Sequence, residues 1–277
     1  MISDHAVALA DAMRAAGLEM AKGGVVFDGR IHRFRVACDK AGSKNGWYVG
    51  HLSPAPAAAF GSWKTGESHT WRAEALKIMS PAELAEQRRQ FEAVRHQRAE
   101  EEARVHGEAR SKAARLWGMT RPADASHPYL ARKGVKAWGV RQLRESLVIP
   151  ARDASGQLHT LQFIGADGGK RLLTGGRIKG CYCAIGRPAE TLLLAEGFAT
   201  AATLYEATGH ATACAFNAGN LLPVARALRA KFPRLRIIVC ADNDANTPGN
   251  PGLTRAREAA LAVHGSVAVP EFEVRNK

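Results

Sequence analysis

Long apolar runs are missing from this sequence of 277 residues. No run approaches the roughly 18 apolar residues that a membrane-spanning helix needs, so we expect no membrane span and no membrane partner. A secretory leader is missing as well, and the five cysteines are an odd number. Both observations favour a reducing compartment, so we expect a cytoplasmic protein.

Metal-binding cysteine motifs and nucleotide-hydrolysing motifs are also missing. Cys181 and Cys183 lack the two-residue spacer and the second pair of a zinc ribbon. Cys214 and Cys240 lie in apolar runs, where cysteine usually acts as a small core residue. The sequence has no Gly-x-x-x-x-Gly-Lys-Ser/Thr loop, which excludes a helicase motor of that type from these residues.

Positive charge, in contrast, is abundant. The chain has 39 Lys and Arg against 26 Asp and Glu, a formal net charge of +13. Such an excess favours a polyanionic partner such as nucleic acid. The apolar fraction of 46 % provides a sizeable core, and the length allows two or three domains.

Two acidic motifs follow apolar runs near the C-terminus. Residues 191–197 read TLLLAEG, and residues 236–244 read RIIVCADND. Such runs are typical of buried parallel strands, whose carboxyl ends form the ligand crevice of an open α/β sheet. We therefore expect Glu196, Asp242 and Asp244 to meet at one edge. Close carboxylates repel unless a cation lies between them, and oxygen ligands suit Mg²⁺ or Mn²⁺, so we expect metal-assisted chemistry on phosphates.

The surrounding residues predict an α/β fold whose C-terminal parallel sheet is flanked by helices. The predicted strands and helices of this region alternate, with strands at 191–195, 211–215, 236–240 and 266–269, and helices at 198–208, 221–231 and 252–263.

Four parts are predicted along the chain: a small α+β module at 1–78, a long charged helical linker at 79–120, a basic α+β subdomain at 121–190, and the α/β domain at 191–277. In the first part we expect a hairpin over 25–34 with its turn at Asp28-Gly29.

Cationic and aromatic side chains are interleaved in the first part. The cations are Arg30, Arg33, Arg35, Lys40, Lys44 and Lys64, and the aromatics are Trp47, Tyr48, Trp63 and Trp71. This composition suits single-stranded nucleic acid, through phosphate pairing and base stacking. The same aromatics could equally form the core of a small domain.

The third part has twelve Lys and Arg against five Asp and Glu. Lys170-Arg171 and the 177–180 segment lie in Gly-rich surroundings, where their side chains could reach a ligand. Cations placed just before the acidic motifs are suited to neutralising phosphates.

The acidic motifs resemble those of the Toprim domain, which primases, topoisomerases and some nucleases share. The likeness rests on Glu196-Gly197 after one strand and Asp242-x-Asp244 after another. Upstream, the segments 147–153, 169–172 and 179–180 resemble the basic half of the bacterial DnaG-type primase core. The N-terminal module further resembles the primases of conjugative plasmids and satellite phages.

This resemblance implies a DNA primase that makes short RNA primers on a single-stranded DNA template from nucleoside triphosphates. Glu196, Asp242 and Asp244 would be the catalytic, metal-holding residues. The resemblance implies substrate and template contacts at Arg152, Lys170 and Lys179. To these we add Arg171 as a further phosphate contact and Asn217, which would position a phosphate or a water. The Gly-, Pro- and Asn-rich loop with Asn246 and Gly249 could cap the site, although a plain surface turn is favoured there. A replicative helicase would be the partner that unwinds the duplex.

Two departures from the family keep other functions open. Thr200 stands where the family often has a further acid, and only Glu271 and Glu273 follow the last predicted strand. A metal-dependent nuclease would use the same three acids. A non-catalytic nucleic-acid-binding module is the third possibility. A topoisomerase needs a nucleophilic tyrosine on a separate domain, and none of the four tyrosines lies in one.

Overall fold

The computed structural model describes residues 4–53, 55–73, 80–242 and 250–270. The chain forms two compact units, Met1–Ala103 and Arg104–Lys277.

The first unit contains a four-stranded antiparallel sheet in the order β1-β2-β3-β4. Its elements are α1 (Asp4–Ala15), β1 (His32–Phe34), β2 (Gly46–His51), β3 (Ala57–Ser62) and β4 (Ser68–Arg72), followed by the first part of α2 (Pro81–Gly118).

Aromatic residues of this unit lie in its core. Tyr48 belongs to the cluster that α1 forms with one face of the sheet through Leu9 and Met13. Trp47 is only 2 % exposed and packs with Val94 of α2. Neighbouring strand residues point to opposite faces, so β2 supplies a large ring to each layer. Trp47 and Tyr48 are therefore core residues, which favours the second of the two interpretations of these aromatics.

The predicted hairpin over 25–34 is wrong. Residues 25–27 form no strand, and β1 pairs with β2 instead. The chain bends at Asp28-Gly29, where Gly29 has a positive φ of 72° and the Arg30 N–H donates to the Asp28 Oδ1 at 2.9 Å. Phe27 packs against Gly50, where a side chain would not fit. Tertiary packing thus overrides the local strand preference of Val25 and Val26.

Helix α2 has 38 residues, which corresponds to about 57 Å. It starts with a capping box, in which the Glu83 carboxylate accepts from the Ser80 N–H and the Ser80 hydroxyl accepts from the Glu83 N–H. Despite its length it is rich in charge, and none of the helices in the described ranges is long and apolar enough to cross a membrane.

The second unit starts with an antiparallel sheet in the order β5-β6-β7-β8-β9. Its elements are β5 (Arg121–Pro122), α3 (Pro128–Lys133), β6 (Arg141–Leu143), β7 (Ser146–Arg152), β8 (Leu158–Ile164) and β9 (Lys170–Leu172). One face buries Val148 and Leu161 against Ala113 of α2. Ile149 and Ile164, which alternate with them, lie in a second core together with Phe198.

A mostly parallel sheet follows, in the order β10-β12-β11-β13-β14. Its elements are β10 (Cys183–Ile185), β11 (Thr191–Ala195), α4 (Phe198–Thr208), β12 (Ala211–Cys214), a short 3-10 helix (Ala218–Asn220), α5 (Leu221–Lys231), β13 (Arg236–Cys240), α6 (Pro251–Leu261) and β14 (Ser266–Ala268). The predicted fold class is confirmed, and the predicted bounds of α4, α5, β11 and β13 agree to the residue. Strand β10, which is antiparallel to β12, was not predicted.

Candidate active site

Strands β11 and β13 bring two of the three predicted acids to one edge. They are adjacent and parallel, with Ala195 opposite Cys240 at their carboxyl ends. Glu196 follows β11 directly, and Asp242 follows β13 after one residue. Both side chains are partly exposed. Asp244 lies outside the described residues, as do Asn246, Gly249, Glu271 and Glu273.

The thiol of Cys214, at the end of β12, is buried and donates to the Glu196 carbonyl at 3.4 Å. Burial, the largest effect, raises the pKa of Cys214 to about 12, and the negative charges of Glu196 and Asp242 raise it further. A hydrogen bond from the Phe216 backbone and the positive charge of Lys170 lower the same pKa. Both acids and the lysine are therefore within electrostatic reach of one buried sulfur.

Lys170 on β9 faces the acidic turn. A β-carbon placed on Gly197 would lie 3.9 Å from the Lys170 Nζ and 3.8 Å from the Thr200 Oγ1. The ammonium group thus lies over the Glu196-Gly197 turn, where it can attract an anion that the two carboxylates alone would repel. Thr200, one of the two departures from the family, lines the same turn.

Arg171 lies on the opposite face of β9 from Lys170, because successive strand residues alternate. Its guanidinium is 4.9 Å from the centre of the Phe163 ring. It lines a surface cavity of about 560 Å³ together with Lys112, Leu116, Met119, Leu143, Arg144, Glu145, Ser146, Phe163 and Leu173. The structure thus separates two residues that the sequence analysis assigned to one site.

Lys179 lies in a loop that is attached to the turn after β12. The N–H of the next residue, Gly180, donates to the Asn220 Oδ1 at 2.8 Å. Asn217, predicted to position a phosphate or water, accepts from the Asn220 N–H through its own Oδ1 at 3.0 Å and so caps the 3-10 helix. Lys179 and Asn217 are therefore close to the edge at which β11 and β12 end.

Arg152 at the end of β7 contacts its own hairpin, α2 and the residue before β10. Its Nη1 donates to the Gly156 carbonyl at 3.0 Å, and its guanidinium lies 5.8 Å from the centre of the Trp117 ring. Its backbone N–H and C=O both bond to Tyr182. These contacts place the guanidinium at the turn between β7 and β8.

Sequence reasoning missed the cluster of Asp153, His159 and Arg177. The Asp153 Oδ2 lies 2.7 Å from the His159 Nε2 and 3.1 Å from the Arg177 Nη2. Burial raises the pKa of Asp153, but hydrogen bonds from Ser155, His159 and the Gln157 N–H outweigh it and hold that pKa well below its usual range. The cluster fixes Arg177, two residues before Lys179. A sequence signal existed, since Asp153-x-Ser155 is a typical Asx turn.

Sequence reasoning also missed Asn220. This residue is only 3 % exposed, and its side chain makes three hydrogen bonds. No signal in the sequence distinguishes it from Asn217.

A divalent cation fits the donor chemistry of this edge. Glu196 and Asp242 offer the hard oxygen atoms that Mg²⁺ and Mn²⁺ prefer. Within the ranges that the structure describes, no group of three or more His, Cys, Asp or Glu side chains is arranged to hold a metal. The third predicted ligand, Asp244, lies outside those ranges.

In a comparison against known families, residues 191–272, which include both acids, match the Toprim domain. This part of the chain is a Toprim domain. The expected resemblance is therefore confirmed for these residues.

Two curated relatives extend the similarity beyond the Toprim domain. Both are DNA primase TraC from Escherichia coli, and each is 38 % identical over 95 % of this chain. The alignment spans only 26 % of one relative and 19 % of the other, so this chain corresponds to about a quarter or less of their length. The predicted resemblance to DNA primases is confirmed, and it includes the first unit and α2 as well as the Toprim domain.

Solved structures show weaker likenesses. The primase fragment of the bacteriophage T7 primase-helicase protein matches with a TM-score of 0.39 at 14 % identity, over 56 % of this chain and 72 % of that one. The Escherichia coli primase catalytic core matches with a TM-score of 0.35 at 14 % identity, over 63 % of this chain and 66 % of that one. Overlaps of this size carry no argument about function.

Proposed function

We propose that this chain is the catalytic part of a DNA primase, which makes short RNA primers on single-stranded DNA by metal-dependent nucleotidyl transfer. One observation carries the proposal: Lys170 lies over the Glu196-Gly197 turn at the end of β11, and Asp242 follows the adjacent parallel strand β13. The 38 % identity to DNA primase TraC over 95 % of this chain supports it.

The acids have the role of holding a cation. Glu196 and Asp242, with Asp244, would bind Mg²⁺ or Mn²⁺, which neutralises triphosphate charge and stabilises the leaving pyrophosphate when bound. Glu196 follows a short buried strand that has a hydrogen-bonded neighbour on each side. Its backbone is therefore held in place before any ligand arrives, which is the preorganisation that such a site needs.

Cations around this edge bind phosphates of the nucleotide or the template. Lys170 is placed to contact a phosphate held at the carboxylates, and Lys179 approaches from the β12 side. Asn217, in the turn after β12, would position a phosphate or a water. Arg152, at the turn after β7, contacts the template backbone. Arg171 faces the other side of β9, so any phosphate it binds belongs to a more distant part of the template.

A single-stranded DNA template and nucleoside triphosphates are thus the proposed substrates. A replicative helicase is the proposed partner for duplex unwinding. The cytoplasm is the compartment in which we place this reaction.

Primer synthesis is tested by incubating the protein with single-stranded DNA, ribonucleotides and Mg²⁺ or Mn²⁺. We expect short RNA products on a denaturing gel, and none when the metal is chelated. Strand cleavage without synthesis would indicate a Toprim nuclease instead. DNA binding with neither reaction would indicate a non-catalytic module.

A further inference from the structure

Asn220 connects the basic loop to the acidic edge. It is the last residue of the 3-10 helix after β12, and its side chain is buried. Its amide oxygen accepts one hydrogen bond and its amide nitrogen donates two. A buried polar side chain with all these bonds satisfied holds its partners in a single arrangement.

Two of the three side-chain bonds fix the loop that carries Lys179. The Asn220 Oδ1 accepts from the Gly180 N–H at 2.8 Å, and its Nδ2 donates to the Cys181 carbonyl at 2.9 Å. Gly180 has a φ of 72°, a left-handed conformation that side chains rarely adopt. The turn immediately after Lys179 is therefore specified by Asn220 and by a glycine.

The remaining side-chain bond reaches towards Glu196. The Asn220 Nδ2 also donates to the Ala215 carbonyl at 2.8 Å. Ala215 in turn donates its N–H to the Ala195 carbonyl at 2.8 Å, and Ala195 is the residue before Glu196. Two hydrogen bonds in series thus link the Asn220 side chain to the backbone next to the predicted metal ligand.

We propose that Asn220 is a positioning residue, which fixes Lys179 relative to Glu196 so that both contact the same bound nucleotide. The inference rests on the proposed function, and adds to it a residue that touches neither substrate nor metal. Only an amide can accept from Gly180 and donate to two carbonyls at once. An aspartate would set a carboxylate oxygen against the carbonyls of Cys181 and Ala215.

Gln142 provides a matched control for the loss of a buried amide. It is 5 % exposed, accepts from the Asp124 N–H at 3.0 Å and donates to the Arg144 carbonyl at 2.9 Å. Like Asn220 it fixes backbone turns, but these lie around β5 and β6. Its replacement measures how far the loss of a buried amide lowers the stability of the second unit without changing the Lys179 loop.

Equilibrium binding of a fluorescent nucleoside triphosphate with Mg²⁺ tests this inference, with melting temperatures measured in parallel. Asn220→Asp should weaken binding about tenfold, the range in which misplacing one contact costs affinity without abolishing it. Gln142→Glu should lower the melting temperature and leave the dissociation constant within about twofold, since it alters no nucleotide contact.

The double variant Asn220→Asp/Lys179→Gln identifies the mechanism. If Asn220 acts through Lys179, the double variant binds no more weakly than Lys179→Gln alone. Effects that multiply would overturn the inference, as would a folded Asn220→Asp protein with wild-type affinity.

If Asn220→Asp does not fold, Gly180→Ala is the alternative variant for the same test. Its β-carbon would meet only the Pro223 carbonyl, at 4.0 Å, so it disturbs the turn through its φ alone. It should show the same loss of nucleotide affinity, and adding Lys179→Gln to it should weaken binding no further than Lys179→Gln alone. Losses that multiply in this double variant would contradict the inference. A wild-type protein that binds nucleotide but makes no RNA contradicts the proposed function and leaves the inference standing.

Discussion

The Lys170 ammonium lies 3.9 Å from the position that a β-carbon on Gly197 would occupy. The two residues belong to different sheets of the second unit, because Lys170 starts β9 and Gly197 follows β11. The antiparallel sheet β5–β9 thus places a cation at the carboxyl edge of the mostly parallel sheet. A site assembled in this way depends on both sheets.

Lys170→Gln should weaken nucleotide binding about tenfold and reduce its salt dependence, because the lost ammonium no longer pairs with a phosphate. Arg171→Gln is the matched control, since it removes a cation from the next residue on the opposite face of β9. Titration with a fluorescent nucleotide at several salt concentrations measures both variants. Equal losses in the two variants would show that general basicity, and not placement, matters.

Glu196→Gln and Asp242→Asn should each reduce RNA synthesis by about 10²-fold or more, as the loss of an essential charge-stabilising group does. DNA binding should remain largely intact, since it relies on the cations. Gel assays of primer yield and a shift assay with single-stranded DNA measure the two properties.

Glu206→Gln is the control for these acids. Glu206 lies on α4, where its carboxylate accepts from the Lys136 N–H and the Trp138 Nε1. Its replacement should leave synthesis unchanged. If Glu196→Gln lost DNA binding along with synthesis, the proposed division between acids and cations would be wrong.

Alkylation should distinguish Cys38 from the other four cysteines. Cys38 is exposed, whereas the rest are buried. Burial raises the pKa of Cys214 to about 12 and that of Cys240 to about 11, so at pH 8 almost no thiolate is present to react. Mass spectrometry after iodoacetamide treatment should find one modified thiol in the native protein and five in denaturant. Rapid native alkylation of Cys214 would contradict the structure at the acidic edge.

Asp153→Asn should destabilise the protein at pH 7 by an amount that shrinks in acid. Hydrogen bonds from Ser155, His159 and Gln157 outweigh burial and lower the pKa of Asp153 in the folded state. A lowered folded pKa contributes stability that is fully present above the unfolded value of about 3.9 and is lost as the pH falls through the folded pKa. The difference in melting temperature between the two proteins should therefore stay constant from pH 7 to about pH 5 and shrink as the pH falls below about 4. A difference that stays constant down to about pH 2 would contradict this account.

The α/β region could be predicted closely because its signals are local. Each buried strand is a short apolar run, and each helix is bounded by Gly, Pro or Asn. The sequence predicts that β11 and β13 are neighbours only on the assumption that the acids after both strands belong to one site. The structure shows that the two strands are adjacent.

Non-local pairings could not be predicted. β10 has three residues in a Gly-rich segment, and it forms only because β12 offers a free edge. The separation of Lys170 from Arg171 would have followed from strand alternation, but β9 is equally short and was not recognised as a strand. The bonds of Asn220 depend on a loop 40 residues earlier, which no local pattern indicates.

Strand β10 has a further consequence for how this chain can be divided. The Toprim match begins at residue 191, yet the outer strand of the sheet is formed by residues 183–185, which pair with β12. A fragment cut at residue 191 would leave one side of β12 as an open template for other chains, an arrangement that promotes self-association. Recombination that transfers this sheet to another protein must therefore include β10 as well as residues 191–272.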